Sequence, residues 1–336
     1  MVSAVPILEA RGLGRIFTRR GGLFAPRSVL RAVEGIDLEL PVGGRLAIVG
    51  ESGCGKSTLG RLLLGLAAPS AGTILFESME HGHRSPADWK RFRRESALVQ
   101  QNPLAALDPQ MTIGAQVAEP LTVHGRARGA AAREMAERGL VEVGLGPEMM
   151  ARFPHQLSGG QRQRVVIARA LVMSPKLVVF DEAVSALDVS VQAQVVGLIN
   201  AQQHRLGLSY LFISHDLRIV RHVADRIAVM YLGRIVETGP IDAIYRAPTH
   251  PYTQALLAAV PRLDPRARRP AVTIRGEATA SAADGPGCAF RTRCAMAIAR
   301  CASERPELLA LGDRATACHR AGEVSEPQRE RMELVS

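Results

Sequence analysis

One eight-residue stretch constrains the fold more than any other part of this chain: GESGCGKS at positions 50–57. It follows RLAIVG at 45–50, an apolar run that predicts a buried strand, and it precedes a helical pattern at about 57–67. Glycines let a backbone curl so that its N–H groups face an anion, and the start of a helix adds a favourable dipole. The match to G-x-x-x-x-G-K-[ST] between a strand and a helix therefore predicts a phosphate-binding loop.

The side chains of this loop predict a nucleotide with Mg²⁺. Lys56 is expected to reach the β- and γ-phosphates, and the Ser57 hydroxyl to bind the metal. Asp181 and Glu182 end KLVVFDE, another apolar run, at 176–182. A carboxylate at the carboxyl end of a strand beside such a loop suits Mg²⁺, directly or through water, and we assign this role to Asp181. Glu182 is placed to polarise an attacking water.

Strand and helix patterns alternate along much of the chain. SYLFISHD at 209–216 predicts a third buried strand, and RIAVMY at 226–231 with GRIVETG at 233–239 predicts a hairpin. Helical patterns fall at about 158–173 and 191–206. This alternation predicts an α/β fold with a largely parallel sheet. We divide the chain into a nucleotide-binding core in two parts (1–101 and 171–245), a mainly helical subdomain (102–170) and a Cys-containing C-terminal extension (246–336).

Composition narrows the class of protein. The 336 residues are 47% hydrophobic, and no apolar run approaches the roughly 18–20 residues that cross a bilayer. The start of the chain lacks the pattern of a signal peptide, so we expect a cytoplasmic protein. The net charge of +10 comes from 42 basic and 32 acidic residues spread along the chain, and aromatics are only 4%. We therefore expect a solvated basic surface and no nucleic-acid partner.

Further motifs narrow the class of phosphate-binding protein. LSGGQ at 157–161 resembles the signature of ATP-binding cassette (ABC) proteins, and the order of the remaining motifs agrees with that family. The resemblance implies a P-loop (RecA-like) ATPase core and assigns roles to single residues. Gln101 matches the Q-loop glutamine, SALD at 185–188 the D-loop, His215 the switch histidine, and Phe17 the aromatic that stacks on adenine. The resemblance covers about residues 5–260.

The family resemblance implies how ATP and Mg²⁺ are bound. Catalysis falls to Glu182, His215 and Gln101, and Gln101 also joins Ser57 and Asp181 at Mg²⁺. Two cassettes meet head to tail, so that the signature of one chain serves the γ-phosphate held by the other. The implied nucleotide-binding residues are Phe17, Gly50, Glu51, Ser52, Gly53, Cys54, Gly55, Lys56, Ser57, Thr58, Ser158, Gly159, Gly160, Gln161 and Asp188.

One position departs from the family pattern. Ala183 stands where the family often has proline after the Asp-Glu pair. Alanine leaves the backbone more freedom than proline, and both carboxylates remain. We expect hydrolysis to persist and leave its rate open.

The tail indicates a branch of the family. HPYTQALLAAVP at 250–261 precedes a basic, proline-containing linker, and GCAFRTRCAMAIARC follows at 287–301. Together they resemble the C-terminal extension of ATPases of the oligopeptide/dipeptide (and nickel) importer group, with the F-like ATPase as the closest type. The resemblance implies two permease subunits, a second ATPase subunit, a solute-binding protein and a peripheral place on the cytoplasmic face of the inner membrane. A heterodimer is favoured over a homodimer.

Four cysteines in the extension are spaced C-x5-C-x6-C-x16-C. Disulfides are disfavoured in a reducing cytosol, and the spacing lacks the C-x2–4-C pair typical of zinc sites. Four thiolates could hold an iron–sulfur cluster, or the cysteines could simply be reduced. The resemblance implies a [4Fe–4S] cluster, with a structural role, on Cys288, Cys294, Cys301 and Cys318.

The function predicted from the sequence is ATP hydrolysis that energises import of di- or oligopeptides. Nickel or another small solute is the alternative cargo. A non-transport ABC ATPase acting on nucleic acid or ribosomes usually carries a long coiled-coil insertion, zinc modules or two cassettes in one chain. This alternative is disfavoured here, because only 55 residues separate Gln101 from Leu157 and one phosphate loop is present. The cysteine-containing tail disfavours an exporter.

Overall fold

The computed structural model describes residues 5–19, 28–260, 276 and 285–324. These residues form two sheets with helices around them. The strands are β1 (Leu8–Arg19), β2 (Ser28–Leu40), β3 (Arg45–Val49), β4 (Ala71–Phe76), β5 (Met79–Glu80), β6 (Ser96–Val99), β7 (Leu177–Asp181), β8 (Ser209–Ser214), β9 (Arg226–Tyr231), β10 (Arg234–Pro240), β11 (Leu309–Leu311) and β12 (Arg314–Thr316). The α-helices are α1 (Lys56–Leu63), α2 (Pro86–Glu95), α3 (Pro103–Ala106), α4 (Ile113–Val123), α5 (Gly129–Glu142), α6 (Gly159–Leu171), α7 (Val189–Leu206), α8 (Leu217–Val223), α9 (Ile241–Arg246), α10 (Pro251–Ala258), α11 (Arg300–Ser303) and α12 (Ala321–Val324). Short 3-10 turns lie at His81–His83, Pro147–Ala151 and Pro154–Gln156.

The larger sheet has eight strands in the order β11-β12-β10-β9-β3-β8-β7-β6. From β9 to β6 the neighbouring strands run parallel, whereas β9 and β10 form the predicted antiparallel hairpin. Every residue of β7 and β8 is buried, as expected for strands covered on both faces. The predicted α/β class with a largely parallel sheet is therefore confirmed. The carboxyl ends of β3, β7 and β8 lie side by side at one edge.

The two faces of this sheet belong to different cores. Alternate residues of β7 face opposite sides, so Leu177 and Val179 join one hydrophobic cluster and Val178 and Phe180 the other. The first cluster lies under α1 and the smaller antiparallel sheet, whose order is β2-β1-β4-β5. The sequence pattern does not predict this smaller sheet. The β1–β2 pairing contains three register shifts, and such irregularities break the period-two alternation that marks a half-buried strand.

The segment from α3 to α6 contains helices and 3-10 turns but no strand, as the sequence predicts. Its helices α4, α5 and α6 pack on one another through apolar side chains of one continuous core. That core includes Ile113, Val117, Ala136, Leu140 and Val165. The helical character is confirmed, while the domain boundaries at 102 and 170 stay predictions.

The C-terminal extension adds strands to the edge of the larger sheet. β12 pairs antiparallel with β10 through Glu237↔Thr316 and Thr238↔Ala315, and β11 pairs with β12. The extension is thus continuous with the core sheet, and the boundary predicted at 246 stays a prediction. The predicted basic linker after 261 lies almost wholly outside the described residues. Within the described ranges, no helix combines the length and the apolar character needed to span a bilayer.

Candidate nucleotide-binding and hydrolysis site

The phosphate loop lies between β3 and α1, and two of its glycines are required by the geometry. Gly50 has φ 156° and Gly55 has φ 106°, in the range that side chains disfavour. A Cβ at Gly50 would lie 2.1 Å from the Met230 carbonyl oxygen, and one at Gly55 would lie 1.9 Å from that of Ala32. The loop therefore passes against two neighbouring backbones at points where only glycine fits.

Lys56 is buried at the first position of α1. Its ammonium donates to the carbonyl oxygens of Gly50 and Glu51, at 2.9 Å each. The cation is thereby fixed inside the curl of the loop, where the sequence predicted that it meets the phosphates. The Cys54 thiol is also buried, 3.9 Å from the Lys56 nitrogen, and burial raises its pKa. Cys54 is thus a packed, neutral thiol, and only its backbone is available to a nucleotide.

Ser57 and Asp181 meet at the base of the loop, although 124 residues separate them in sequence. The Ser57 hydroxyl donates to Asp181 Oδ1 at 2.7 Å. Burial raises the pKa of Asp181 above its ordinary value, and the hydrogen bond from Ser57 acts in the opposite direction. A hydroxyl and a carboxylate at hydrogen-bond distance are the hard oxygen ligands that Mg²⁺ prefers, so this pair fits the metal predicted from the sequence.

Glu182 and His215 come together from the ends of neighbouring strands. His215 Nδ1 lies 3.4 Å from Glu182 Oε1, and the Glu182 side chain is mostly buried while His215 is exposed. Glu182 has a positive φ of 49° and its N–H donates to the Ile213 carbonyl at 3.0 Å. The strand end therefore turns sharply and presents the carboxylate beside the histidine. The structure thus brings together two residues to which the sequence assigns separate roles in catalysis.

Gln101 lies just after β6 and reaches the segment that follows β7. Its Nε2 donates to the Ser185 hydroxyl at 3.5 Å, a long contact from an exposed side chain. Ser185 in turn donates to the Glu182 carbonyl at 2.9 Å. The predicted Q-loop glutamine is thus connected through one serine to the predicted catalytic segment. Ala183 is buried directly after Glu182.

The LSGGQ segment begins α6 with a reciprocal cap. The Ser158 hydroxyl accepts from the Gln161 N–H, and the Gln161 side chain accepts from the Ser158 N–H at 2.9 Å. Ser158 and Gly159 are exposed, and a Cβ at Gly159 would meet nothing within 4 Å. The cap fixes the first turn of a 13-residue helix with free space around Gly159. Such a turn suits an anion, as the sequence predicts.

Two further predicted residues, Phe17 and Asp188, are exposed on the surface. Asp188 caps α7 by accepting from the Val191 N–H at 2.9 Å, and that hydrogen bond lowers the pKa of its carboxyl. Phe17 is 42% exposed on β1, so its ring is available for stacking. The Arg15 guanidinium lies 4.8 Å from the Phe17 ring centroid. No sequence motif indicates this arginine, and the only signal is that residues at i and i+2 share one face of a strand.

Two further residues at the loop were missed because they come from the C-terminal extension. Tyr252 accepts a hydrogen bond from the Glu51 N–H at 2.9 Å, and Arg293 forms an ion pair with the Glu51 carboxylate. Tyr252 belongs to the HPYT stretch, which in the sequence indicates only a branch of the family. No local pattern connects positions this far apart along the chain.

All four predicted cysteines of the extension line one small cavity, together with Phe290 and His250 among others. Burial raises the pKa of the thiols of Cys288 and Cys294, and raises that of Cys318 to about 11. Within the part of the chain that the structure describes, no group of three or more His, Cys, Asp or Glu side chains is arranged to hold a metal ion. The four thiols therefore surround one cavity without forming a metal-binding group as they are placed, and the [4Fe–4S] cluster stays a prediction.

Two family models match the chain. The model described as ABC transporter matches residues 33–185, which include the phosphate loop, the signature and the Asp-Glu pair. The model described as oligopeptide/dipeptide transporter, C-terminal region, matches residues 236–301. The second match begins in β10 and extends through three of the four cysteines.

Curated proteins are similar to almost the whole chain. The di/tripeptide transport ATP-binding protein DppF of Pseudomonas aeruginosa is 46% identical over 315 residues, covering 94% of this chain and 98% of that protein. The dipeptide transport ATP-binding protein DppF of Escherichia coli is 44% identical over 324 residues, covering 96% and 97%. The oligopeptide transport ATP-binding protein OppF of Escherichia coli is 46% identical over 286 residues, covering 84% and 86%.

Solved structures share the fold of the core. The ATP-binding cassette MJ0796, determined as a dimer in a post-hydrolysis state with ADP and phosphate, superposes with a TM-score of 0.62 at 25% identity, covering 70% of this chain and 98% of that one. The cbiO1 protein of Clostridium perfringens, part of an ABC transporter complex, gives 0.61 at 27% identity, covering 72% and 91%. With its phosphate loop, signature and C-terminal region in this order, the chain belongs to the ATP-binding proteins of ABC transporters, in the dipeptide/oligopeptide group.

Proposed function

We propose that this chain is the ATP-hydrolysing subunit of a membrane importer for di- or oligopeptides. The observation that carries the ATPase part is the contact between Ser57 and Asp181 at the base of the phosphate loop, with Glu182 and His215 adjoining it. The names of the relatives, which refer to di/tripeptide, dipeptide and oligopeptide transport, support the peptide part.

The residues of the site divide the work of phosphoryl transfer. Backbone N–H groups of residues 50–58 and the Lys56 ammonium hold the phosphates, and Phe17 stacks on the adenine. Ser57, Asp181 and Gln101 would hold Mg²⁺, which when bound would neutralise negative charge on the phosphates. Glu182 accepts a proton from the attacking water, and His215 at 3.4 Å orients that carboxylate.

The signature segment serves the ATP of a second cassette. Ser158, Gly159, Gly160 and Gln161 form the first turn of α6, where N–H groups and the helix dipole favour an anion, and Asp188 caps the next helix. The dimeric state described for MJ0796 supports the pairing of two cassettes. We propose that the partner is a second, different ATPase subunit, which makes the assembly a heterodimer.

The assembly is completed by proteins outside this chain. Two permease subunits form the membrane channel, and a solute-binding protein delivers the cargo. The chain lies peripherally on the cytoplasmic face of the inner membrane, with the nucleotide-binding core (1–101 and 171–245), the helical subdomain (102–170) and the C-terminal extension (246–336) as its units. Closure on ATP and opening after hydrolysis shift the permeases between two states.

The decisive experiment reconstitutes the chain with its permeases and second ATPase in vesicles that contain ATP and Mg²⁺. With the solute-binding protein outside, labelled dipeptide should accumulate, whereas labelled nickel should not. The Glu182→Gln variant should still bind ATP, but it should not support uptake of the dipeptide. Nickel uptake without peptide uptake would replace the proposed cargo, and copurification of the chain with ribosomal RNA or DNA would contradict an importer altogether.

The four cysteines form a separate part of the proposal. We propose that Cys288, Cys294, Cys301 and Cys318 hold a [4Fe–4S] cluster with a structural role. Their position around one cavity supports it, because such a cluster requires four thiolates. Binding would require the thiols to move from their present arrangement, which does not form a metal-binding group. Anaerobic purification followed by iron and sulfide analysis tests the proposal, and colourless protein without iron would reject it.

A further inference from the structure

A buried arginine outside the nucleotide-binding motifs reaches into the phosphate loop. Arg293 lies next to Cys294 in the C-terminal extension, and its side chain is buried. Its Nη1 and Nη2 donate to Glu51 Oε2 and Oε1 at 2.9 and 3.0 Å. Because Glu51 is the second residue of the GESGCGKS loop, this ion pair connects the extension directly to the phosphate loop.

The geometry of the pair fixes orientation as well as distance. A guanidinium that donates two parallel hydrogen bonds to one carboxylate restricts the rotation of both groups. The Arg293 Nε donates to the Gly276 carbonyl at 3.2 Å, so the guanidinium is held on its other edge too. The hydrogen bonds to Glu51 are the main reason why the pKa of Arg293 lies above its ordinary value. The arginine is therefore permanently charged and fixed in position.

A second residue of the extension holds the backbone of the same loop residue. Tyr252, which is fully buried at the start of α10, accepts from the Glu51 N–H at 2.9 Å. The Tyr252 ring lies 4.7 Å from that of Tyr231 and 5.4 Å from that of Phe290, measured between centroids. Phe290 belongs to the same cysteine-flanked segment as Arg293. This aromatic cluster thus packs the segment against the strand end beside the loop.

Every polar group of Glu51 is therefore engaged. Tyr252 holds its N–H, Arg293 holds its carboxylate, and its carbonyl oxygen accepts from the Lys56 ammonium at 2.9 Å. A shift of Glu51 would move one of the two carbonyls that position Lys56. Since Lys56 is the side chain assigned to the phosphates, the ion pair with Arg293 bears on nucleotide binding.

We infer that Arg293 is a positioning residue for ATP. It acts through Glu51 to hold the phosphate loop, and with it Lys56, in the conformation that binds the nucleotide. Through Arg293, the C-terminal extension thus helps to hold the ATP site in its binding conformation. The inference rests on the nucleotide site proposed above, but it does not depend on the cargo, the permeases or the content of the cysteine cavity.

The test is equilibrium binding of a fluorescent ATP analogue with Mg²⁺ to the purified full-length chain. Arg293→Gln should weaken binding about tenfold, because it removes a bidentate charged contact that holds the loop. Arg293→Lys keeps the charge but cannot donate two parallel hydrogen bonds to one carboxylate, so it should weaken binding about threefold. The matched control is Arg300→Gln, since Arg300 forms a similar two-bond pair with Glu304 at 2.6 and 2.5 Å on the exposed surface of the same extension. The control should bind as wild type does.

A double-mutant cycle separates positioning from general stabilisation. If Arg293 acts through Glu51, then Glu51→Gln should lose about as much affinity as Arg293→Gln, and the double variant should lose no more. In steady-state assays of the assembled ATPase, KM for ATP should rise about tenfold while kcat changes less than twofold. Additive losses in the cycle, or a kcat that falls with KM unchanged, would overturn the inference.

Two further outcomes have fixed meanings. If Arg293→Gln fails to fold, as judged by far-UV circular dichroism, Arg293→Lys carries the test, and wild-type affinity in that variant would overturn the inference. If the wild-type chain itself does not bind the analogue, the proposed nucleotide site fails, and the inference fails with it for that separate reason.

Discussion

Replacement of the buried Glu237 by glutamine should destabilise the attachment of the C-terminal extension. Glu237 lies on β10 with no exposed surface. Its Oε1 accepts from both the N–H and the hydroxyl of Thr249 at 2.7 Å, and its Oε2 accepts from the His250 N–H at 3.0 Å. The Thr249 hydroxyl also contacts that of Thr316 on β12. One carboxylate therefore anchors both the HPYT stretch and the strand contributed by the extension.

The expected magnitude follows from these contacts. Glutamine keeps one acceptor oxygen, which can retain the two hydrogen bonds from Thr249. Its NH₂ group must then face the His250 N–H, which loses its acceptor in a buried place. Loss of a hydrogen bond to a charged group costs about 1.5–3 kcal/mol, and the lower desolvation cost of a neutral amide offsets part of it. We expect Glu237→Gln to lower the free energy of unfolding by about 2 kcal/mol.

The measurement combines global and local probes. Urea unfolding followed by far-UV circular dichroism gives the midpoint and slope, and the fluorescence of Trp89, the one tryptophan of the chain, checks whether the transition is two-state. Hydrogen exchange should show faster opening of residues 248–258 and 314–316 than of β3, because those segments depend on Glu237.

An exposed glutamate on the helical segment provides the matched control for this prediction. Glu134→Gln removes an exposed surface pair with Arg138 and should change stability by less than about 0.5 kcal/mol. If Glu237→Gln were as stable as this control, or if exchange rose uniformly over the chain, the carboxylate would not be the anchor that its contacts indicate.

Three further predictions concern the site and its surroundings. Glu182→Gln should bind ATP as wild type does but lower kcat about 10²- to 10⁴-fold, the usual contribution of a general base; unchanged turnover in an ATPase assay would remove Glu182 from that role. Gly55→Ala should abolish ATP binding, because its Cβ would lie 1.9 Å from the Ala32 carbonyl; nucleotide binding by a folded variant would contradict the strain argument. His250 is fully buried, and desolvation lowers its pKa from 6.5 to about 3. The unfolded chain therefore takes up a proton that the folded chain resists, and stability should fall by about 1 kcal/mol per pH unit as pH drops from 6.5 towards 3. His250 Nδ1 caps α10 by accepting from the Tyr252 N–H at 3.1 Å, and asparagine can keep such a cap. His250→Asn should therefore flatten this dependence in urea titrations at several pH values; an unchanged slope would show that other groups cause it.

The phosphate loop was predictable because its determinants are local. A strand, a glycine-rich turn and a helix start occupy consecutive positions, so the motif and its context are visible together at 45–67. The same holds for the strands of the parallel sheet, whose burial on both faces produces continuous apolar runs. The common location of Asp181, Glu182 and His215 was also predictable. Each directly follows or ends an apolar run, and the carboxyl ends of parallel strands lie at one edge of the sheet.

The small antiparallel sheet was not predictable in the same way. β1 and β2 are long, but their pairing shifts register at Ala10/Leu13, Leu13/Arg15 and Arg15/Ile16. Each shift interrupts the alternation of inward and outward side chains, and two strands are recognised from a sequence mainly through that alternation. The spacing of the four cysteines likewise left their role open, and the family resemblance implied a cluster. In the described residues the thiols line one cavity but do not form a metal-binding group.

By itself, the sequence determined the α/β class, the phosphate loop and the chemical groups available for ATP and Mg²⁺, because each of these depends on residues that are close together in the sequence. Only the tertiary structure decided which of these groups meet. Ser57 forms a hydrogen bond with Asp181, 124 residues away in the sequence, and Glu51 forms an ion pair with Arg293, 242 residues away. Contacts over such separations depend on how strands pair and how the extension joins the sheet at β10, and these pairings are set by packing of the whole chain. For this reason the motifs of the phosphate loop are visible in the sequence, whereas only the structure shows that residues of the C-terminal extension contact that loop.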